Sequence, residues 1–255
     1  MVNALQIELL KSRRTKSFII TIFLMFIGLL WNTVSTGSEI NSVNYDGASV
    51  LFNNQTMNSL FLPIAISIFT SRIVSNELEG QTFKLQESNG RTLIQIFYSK
   101  LILSTVFFLI LGILGTVATN VFAMVNGVRV PLTITIFQIL GQLLSSFSLI
   151  CLYLTFAMFT DKQGLLLSSG FLGGFLGLIL ASKSTIFWTF IVPWVGCSYL
   201  SPYKFTLINS SSYLYKFDQS IYLKLLIYLI YCLLLYLIVR SIFSVSYTHL
   251  TLPTT

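Results

Sequence analysis

The chain has 255 residues, 55% of them hydrophobic and only 9% charged, with a formal net charge of +7. Mean hydropathy is +0.82, and several apolar runs approach or exceed the ~20 residues that carry a helix across a bilayer. A soluble domain of this length has nowhere to bury them all, and barrel strands would alternate apolar with polar residues, which these runs do not; the expected fold class is an all-α polytopic membrane protein.

The opening MVNALQIELLKSRRTK sets Leu5, Ile7, Leu9 and Leu10 ahead of Lys11, Arg13, Arg14 and Lys16. This predicts an amphipathic helix over residues 2–16, lying on a membrane face. Spans are expected at about 18–34, 59–74, 101–125, 134–159, 164–181 and 221–239. The first is longer than a signal-peptide core, and no small-x-small cleavage pattern follows it. Residues 35–58 are polar without Lys or Arg, and the second span holds Pro63 near its start. A loop over 75–100 collects charge as SNELEGQTFKLQESNGR, and NGVRVP, with Asn126, Gly127 and Pro131, forms a tight turn after the third span. Pro193 and Gly196, in the aromatic stretch before the sixth span, suggest a broken, partly re-entrant hairpin. Residues 1–243 are read as one transmembrane domain.

Six spans put both termini on one side. Lys11, Arg13, Arg14, Lys16, Arg72, Lys84, Arg91, Lys100, Lys162 and Arg240 then share a face, against Arg129, Lys183, Lys204, Lys216 and Lys224. Ten against five predicts both termini inside. The basic residues flank apolar spans, where anionic head groups lie, so membrane lipids and no nucleic acid are the expected partners.

The last eleven residues, VSYTHLTLPTT from Val245 to Thr255, break character. They resemble the translated mosaic-end adapter of transposase-based sequencing libraries, and are read as a non-native tail; a native polar tail is the alternative. The single histidine, His249, falls there and is given no functional weight.

Little chemistry remains. Cys151, Cys197 and Cys232 are scattered, without disulfide or metal spacing. There is no phosphate-cradling GxxxxGK[ST] loop, and no span carries a clear central charge of the kind that marks proton relays and ion pathways. No catalytic, cofactor-binding or metal-binding residue is expected on this chain. If it moves a solute uphill, the energy comes from another subunit.

That gives the charged loop a role. Leu78, Phe83 and Leu85 offer an apolar contact set, with Glu77, Glu79, Lys84 and Glu87 expected to stay solvated. Asn89-Gly90 signals a helix stop, and Thr92 can cap the next helix. A short amphipathic helix facing the cytoplasm suits a groove on a soluble partner.

The pattern in Glu77, Glu79, Gly80, Thr82, Lys84, Leu85, Arg91, Leu93 and Lys100, the opening Glu8–Phe18 and the six-span layout together resemble the permease subunits of type-2 ABC (ABC-2) transporters, over nearly the whole chain. Ser88-Asn89-Gly90-Arg91 departs from the Pro-x-Ser-Arg of many relatives. Permeases of lantibiotic and bacteriocin immunity exporters are similar in length and opening. The resemblance implies that Glu77, Glu79, Gly80, Thr82, Phe83, Lys84, Leu85, Glu87 and Arg91 couple the chain to an ABC ATPase subunit, which would hold ATP and Mg. It also implies a second permease chain, alike or related, and export of an amphipathic antimicrobial peptide as a resistance device. Another lipophilic cargo, such as a drug or lipid-linked precursor, is the alternative within the family; a non-transporting sensor or scaffold is the alternative outside it.

Two other features stand out. Gly170-xxx-Gly174 and Gly173-xxx-Gly177 are patterns that let helix backbones approach, within one subunit or between paired permeases. Trp188, Trp194 and Tyr199 fit an interfacial aromatic belt or a shallow outer-leaflet substrate contact.

Overall fold

The computed structural model describes residues 8, 10, 16–37, 40, 47–53, 56–80, 85–86, 88–160, 162–181, 183, 186–209 and 212–250. In chain order the helices are α1 (Ser17–Gly37), α2 (Gly47–Asn53), α3 (Thr56–Glu79), α4 (Leu93–Val125), α5 (Leu132–Phe159) and α6 (Gln163–Ala181). Two 3-10 turns follow, Phe187–Ile191 and Pro193–Val195, then α7 (Gly196–Tyr199), strands β1 (Tyr203–Asn209) and β2 (Ser212–Phe217), and α8 (Ile221–Leu250). Among the described residues, six segments are long and apolar enough to cross a membrane: α1, α2 with α3, α4, α5, α6, and α8 as far as Ser244. Of the amphipathic opening Glu8, Leu10 and Lys16 are described, the first two helical and Lys16 in a turn; residues 251–255 of the tail lie outside the described set.

Helix α3 is the centre. Leu62, Ala65, Ile66 and Phe69 on it are wholly buried, and it packs against α1, α5 and α6. Apolarity alone cannot select this face, because lipid tails are as apolar as leucine. Small and hydroxyl side chains select it instead. Ser67 and Thr70 are buried and return their hydroxyl protons to the Ile64 carbonyl at 2.9 Å and the Ile66 carbonyl at 2.8 Å, so neither hydroxyl is left bare. Helices α1, α4 and α8 carry Phe23, Val117 and Leu233 outward, each about half exposed or more.

Four of the five glycines of α6, Gly170, Gly173, Gly174 and Gly177, turn inward, within the one chain. A Cβ on Gly170 would strike Ser67, one on Gly173 would strike Trp194, and those on Gly174 and Gly177 would lie 2.5 and 2.6 Å from the Leu60 and Ser59 carbonyl oxygens. Pro63 has no N–H to offer the Ser59 carbonyl one turn back; Gly177 leaves room beside it.

The third span is longer than expected because loop and span form one helix. Thr92 Oγ1 accepts from the Gln95 amide at 3.4 Å, and the Gln95 side chain accepts from the Thr92 amide at 3.3 Å. This reciprocal cap starts a 33-residue helix directly after the turn at Gly90, which sits at φ +80°. Its far end closes with Gly127 at φ +74°: Val128 donates to the Ala123 carbonyl at 2.9 Å and Gly127 to Met124 at 3.0 Å.

The stretch before α8 is broken, as Pro193 and Gly196 suggested, but it also contains a feature the all-helical expectation missed. Strands β1 and β2 pair antiparallel, Tyr203 with Phe217, Lys204 with Lys216 and Phe205 with Tyr215. The signal was present: aromatic and polar residues alternate on both sides of a serine turn, a period of two.

Gly174→Leu forces a side chain into the α3 backbone and should cost about 1–3 kcal/mol or more. Gly164→Ala, where a Cβ meets open space, should be neutral. Thermal stability of the detergent-solubilised protein, read by fluorescence-detected gel filtration, checks both.

Candidate functional site

Lys100 lies about two turns into α4, on its buried face beside Ile96 and Phe97. It is the single charge in that helix, and its side chain is 0% exposed. A buried ammonium is tolerated only with counter-charges and hydrogen-bond acceptors around it. Three converge here. Glu8 Oε2 lies at 3.0 Å and Glu77 Oε2 at 2.9 Å from the Lys100 nitrogen, which also donates to the Ile73 carbonyl at 3.3 Å. Gln86 Nε2 donates to the other Glu77 oxygen at 3.3 Å, and Arg91 Nη1 donates to Gln86 Oε1 at 3.4 Å. The opening segment, the end of α3, the charged loop and the root of α4 are thus joined through one cation. Glu79 lies outside this cluster, exposed, accepting from Gln163 Nε2 at the start of α6 at 2.9 Å.

These distances revise the expected picture of the loop. Glu77, read as solvated, is 4% exposed and belongs to the buried cluster. Its position on the inner face of α3 and the demand of Lys100 account for the difference. Glu79, Gly80 and Leu85 are exposed, and Arg91 is partly so. Thr82, Phe83, Lys84 and Glu87 lie outside the described residues. Sequence reasoning quoted Glu8 and Lys100 in motifs without giving them a role. The signal available was a lone lysine in an otherwise uncharged helix, which implies a partner.

At the opposite end the three aromatic candidates separate. Trp188 is 70% exposed. Trp194 closes on the bundle, donating from Nε1 to Tyr153 Oη at 2.9 Å, and Tyr153 donates to the Ser169 carbonyl at 3.1 Å. Tyr199 is buried, with the Lys224 ammonium 4.5 Å from its ring centre. They do not share one open surface. The 3-10 turns and α7 fold back among the helices: Cys197 reaches Ser145 Oγ at 3.3 Å, and Ser198 reaches Ser59 at 2.7 Å between hydroxyl oxygens. Ser145 is ~20 Å along α5 from Leu132, so this segment packs against the middle of α5.

A second ion cluster fastens the hairpin to α8. Asp218 meets Lys204 at 2.7 Å and Lys224 at 3.0 Å, and accepts from the Ser220 hydroxyl at 2.6 Å and amide at 3.0 Å. Burial opposes its charge, but hydrogen bonds from Lys204, Ser220 and Lys224 outweigh that and hold the carboxyl down at about 2.

Nearby, a cavity of about 290 Å³ lies among α1, α2, α3, α4 and α5. Nothing in the sequence alone pointed to it, because its lining residues come from five separate helices. Among the described residues, no three His, Cys, Asp or Glu side chains converge to hold a metal.

Six spanning segments around a buried polar foot define a multi-pass membrane protein. The sequence profile of a family described as ABC-2 family transporter protein matches residues 4–181, and the chain belongs to that family. It is thereby a membrane permease subunit of an ABC transporter, a transport component whose family implies an ATPase partner. No curated protein and no solved structure matches it.

Lys100→Met leaves two buried carboxylates without their cation and should destabilise by about 3–5 kcal/mol, whereas adding Glu8→Leu and Glu77→Met should restore most of that. Chemical denaturation in detergent compares the two. Asp218 has a folded value below its unfolded value of about 3.9, so its contribution is complete above about pH 4 and is lost as pH falls through about 2. The wild-type protein should therefore lose more thermal stability than Asp218→Asn between pH 5 and pH 3.

Proposed function

We propose that this chain is the permease of a bacterial exporter in the cytoplasmic membrane, with both termini in the cytoplasm. It works with a second permease chain and two ATPase subunits, which bind ATP and Mg. The segment from Glu77 to Arg91 receives the ATPase stroke together with the amphipathic N-terminal helix, and the cargo is an amphipathic antimicrobial peptide of the lantibiotic type.

The observation that carries this reading is the buried Lys100 cluster. A segment before the first span and a loop between the second and third are joined by Glu8 and Glu77 to one ammonium. A push on either is delivered to the root of α4 instead of being lost in a slack loop. Glu79, Gly80 and Leu85 remain exposed beside it, Leu85 at 63%, a small polar and apolar patch suited to a groove. The bias of ten basic residues against five supports placing this end in the cytoplasm. The cargo assignment is supported by the resemblance in length and opening to immunity permeases.

The test reverses the exposed patch and leaves the buried cluster intact, since Glu77→Lys would place two ammonium groups in one dry site. Glu79→Lys with Leu85→Glu should keep the chain in the membrane but lower co-purification of its ATPase at least about tenfold, equivalent to ~1.4 kcal/mol. Resistance of the host to a lantibiotic panel should fall in parallel. Undiminished ATPase recovery overturns the docking assignment. Deletion that sensitises cells to drugs or to cell-wall inhibitors but to no lantibiotic overturns the cargo and favours the other lipophilic class.

A further inference from the structure

The 290 Å³ cavity has two unlike walls. Toward the bilayer it is apolar, with Ile22, Phe26 and Leu114 about half exposed at its rim. Toward the bundle it is lined by Asn32, Asn58, Thr116, Thr119, Gln138 and Gln142. No charged side chain is among its described lining residues. The Thr116 and Thr119 hydroxyls already donate to the Gly112 and Gly115 carbonyls, both at 2.9 Å, leaving their lone pairs to accept. Gln142 is 6% exposed, an amide held at the cavity wall. Among the described residues, Asn32 Oδ1 is buried with no hydrogen-bond partner. A buried amide oxygen left bare costs free energy, all the more in a membrane, and is a site waiting for a donor.

We propose that this cavity binds a neutral single-chain amphiphile, its hydroxyl or amide head against the Asn32 and Gln142 amides and its chain leaving between α1 and α4 into the bilayer. The chemistry selects this class. The wall offers both donors and acceptors without net charge, matching a head that does both. A carboxylate, phosphate or ammonium would be stripped of water here with no counter-ion. The volume equals that of about ten water molecules at ~30 Å³ each, enough for a head and the first part of one chain. Gly115 stands at the wall, and a Cβ there would meet nothing within 4 Å, so the space is real and can be filled. This assignment concerns binding and does not rest on the ATPase-coupling reading.

The test uses the full chain, expressed in bacterial membranes, and a monoacylglycerol carrying a diazirine and an alkyne. Irradiation should label peptides within 22–32 and 111–119. Unlabelled monoacylglycerol should compete, and a fatty acid of equal chain length should not. Gly115→Phe should abolish labelling while expression and the gel-filtration profile stay unchanged. Asn32→Leu with Gln142→Leu, which keeps the space and removes the amides, should lower it by about tenfold. Labelling that survives Gly115→Phe and the amide pair, equal competition by the fatty acid, or uniform labelling of lipid-facing helices including α8 overturns the proposal.

Discussion

An ammonium shut away from water holds its surroundings to account. Burial of the Lys100 ammonium at the foot of α4 is compensated by Glu8 and Glu77 at 3.0 and 2.9 Å and by the Ile73 carbonyl at 3.3 Å. The opening segment, the end of α3 and the root of α4 therefore cannot separate without exposing a bare charge to an apolar interior. Packing in a bilayer is weak in directional terms, because side chains on both faces of a helix are equally greasy. A single buried cation supplies the registry that apolar contacts lack.

The other end is fastened by the same means with the signs reversed. There one carboxylate, Asp218, is held by two lysines, and joins the hairpin to α8 and, through the Lys224 bond to the Tyr199 carbonyl at 3.2 Å, to α7. Between these ends Gly174 and Gly177 of α6 bring its backbone against α3, and the segment around α7 packs near Ser145. Two polar anchors and one close helix contact thus position the bundle.

The spans were legible because bilayer thickness leaves a long, unmistakable apolar run. Their ends were less so: the continuation of α4 back to Leu93 depends on a reciprocal cap between Thr92 and Gln95, of which only the threonine was recognised. The glycine pattern of α6 showed that something approaches closely, but only three dimensions show that Leu60 and Ser59 of the same chain do so. The hairpin went unread because its residues were read only as part of the aromatic stretch before the sixth span, and their period-two alternation was not used. At the candidate site, Glu77 was found by motif and misjudged in environment. Lys100 and Glu8 are 92 residues apart, and no local pattern declares such a pairing. The cavity was invisible for the same reason, being a property of five helices and of none singly.

Helix α4 ties these parts together. It is unbroken from Leu93 to Val125, with no proline or cap inside it, so it behaves as a rod and not a chain of hinges. Lys100 sits near one end of the rod, and Thr116 and Thr119 line the cavity ~24–28 Å further along at the helical rise of ~1.5 Å per residue. Helices α1 and α3 reach the same two places: α3 carries Glu77 in its last turn and Asn58 in its first, and α1 follows the segment of Glu8 and carries Asn32. Any displacement that keeps the ion cluster intact must hold the polar ends of these helices together, so the gap between α1 and α4 at the cavity can change only by tilting about that joined end. A displacement that instead broke the cluster would have to bury an unpaired charge, at several kcal/mol. The cluster therefore favours collective tilting of the segments it joins over local bending.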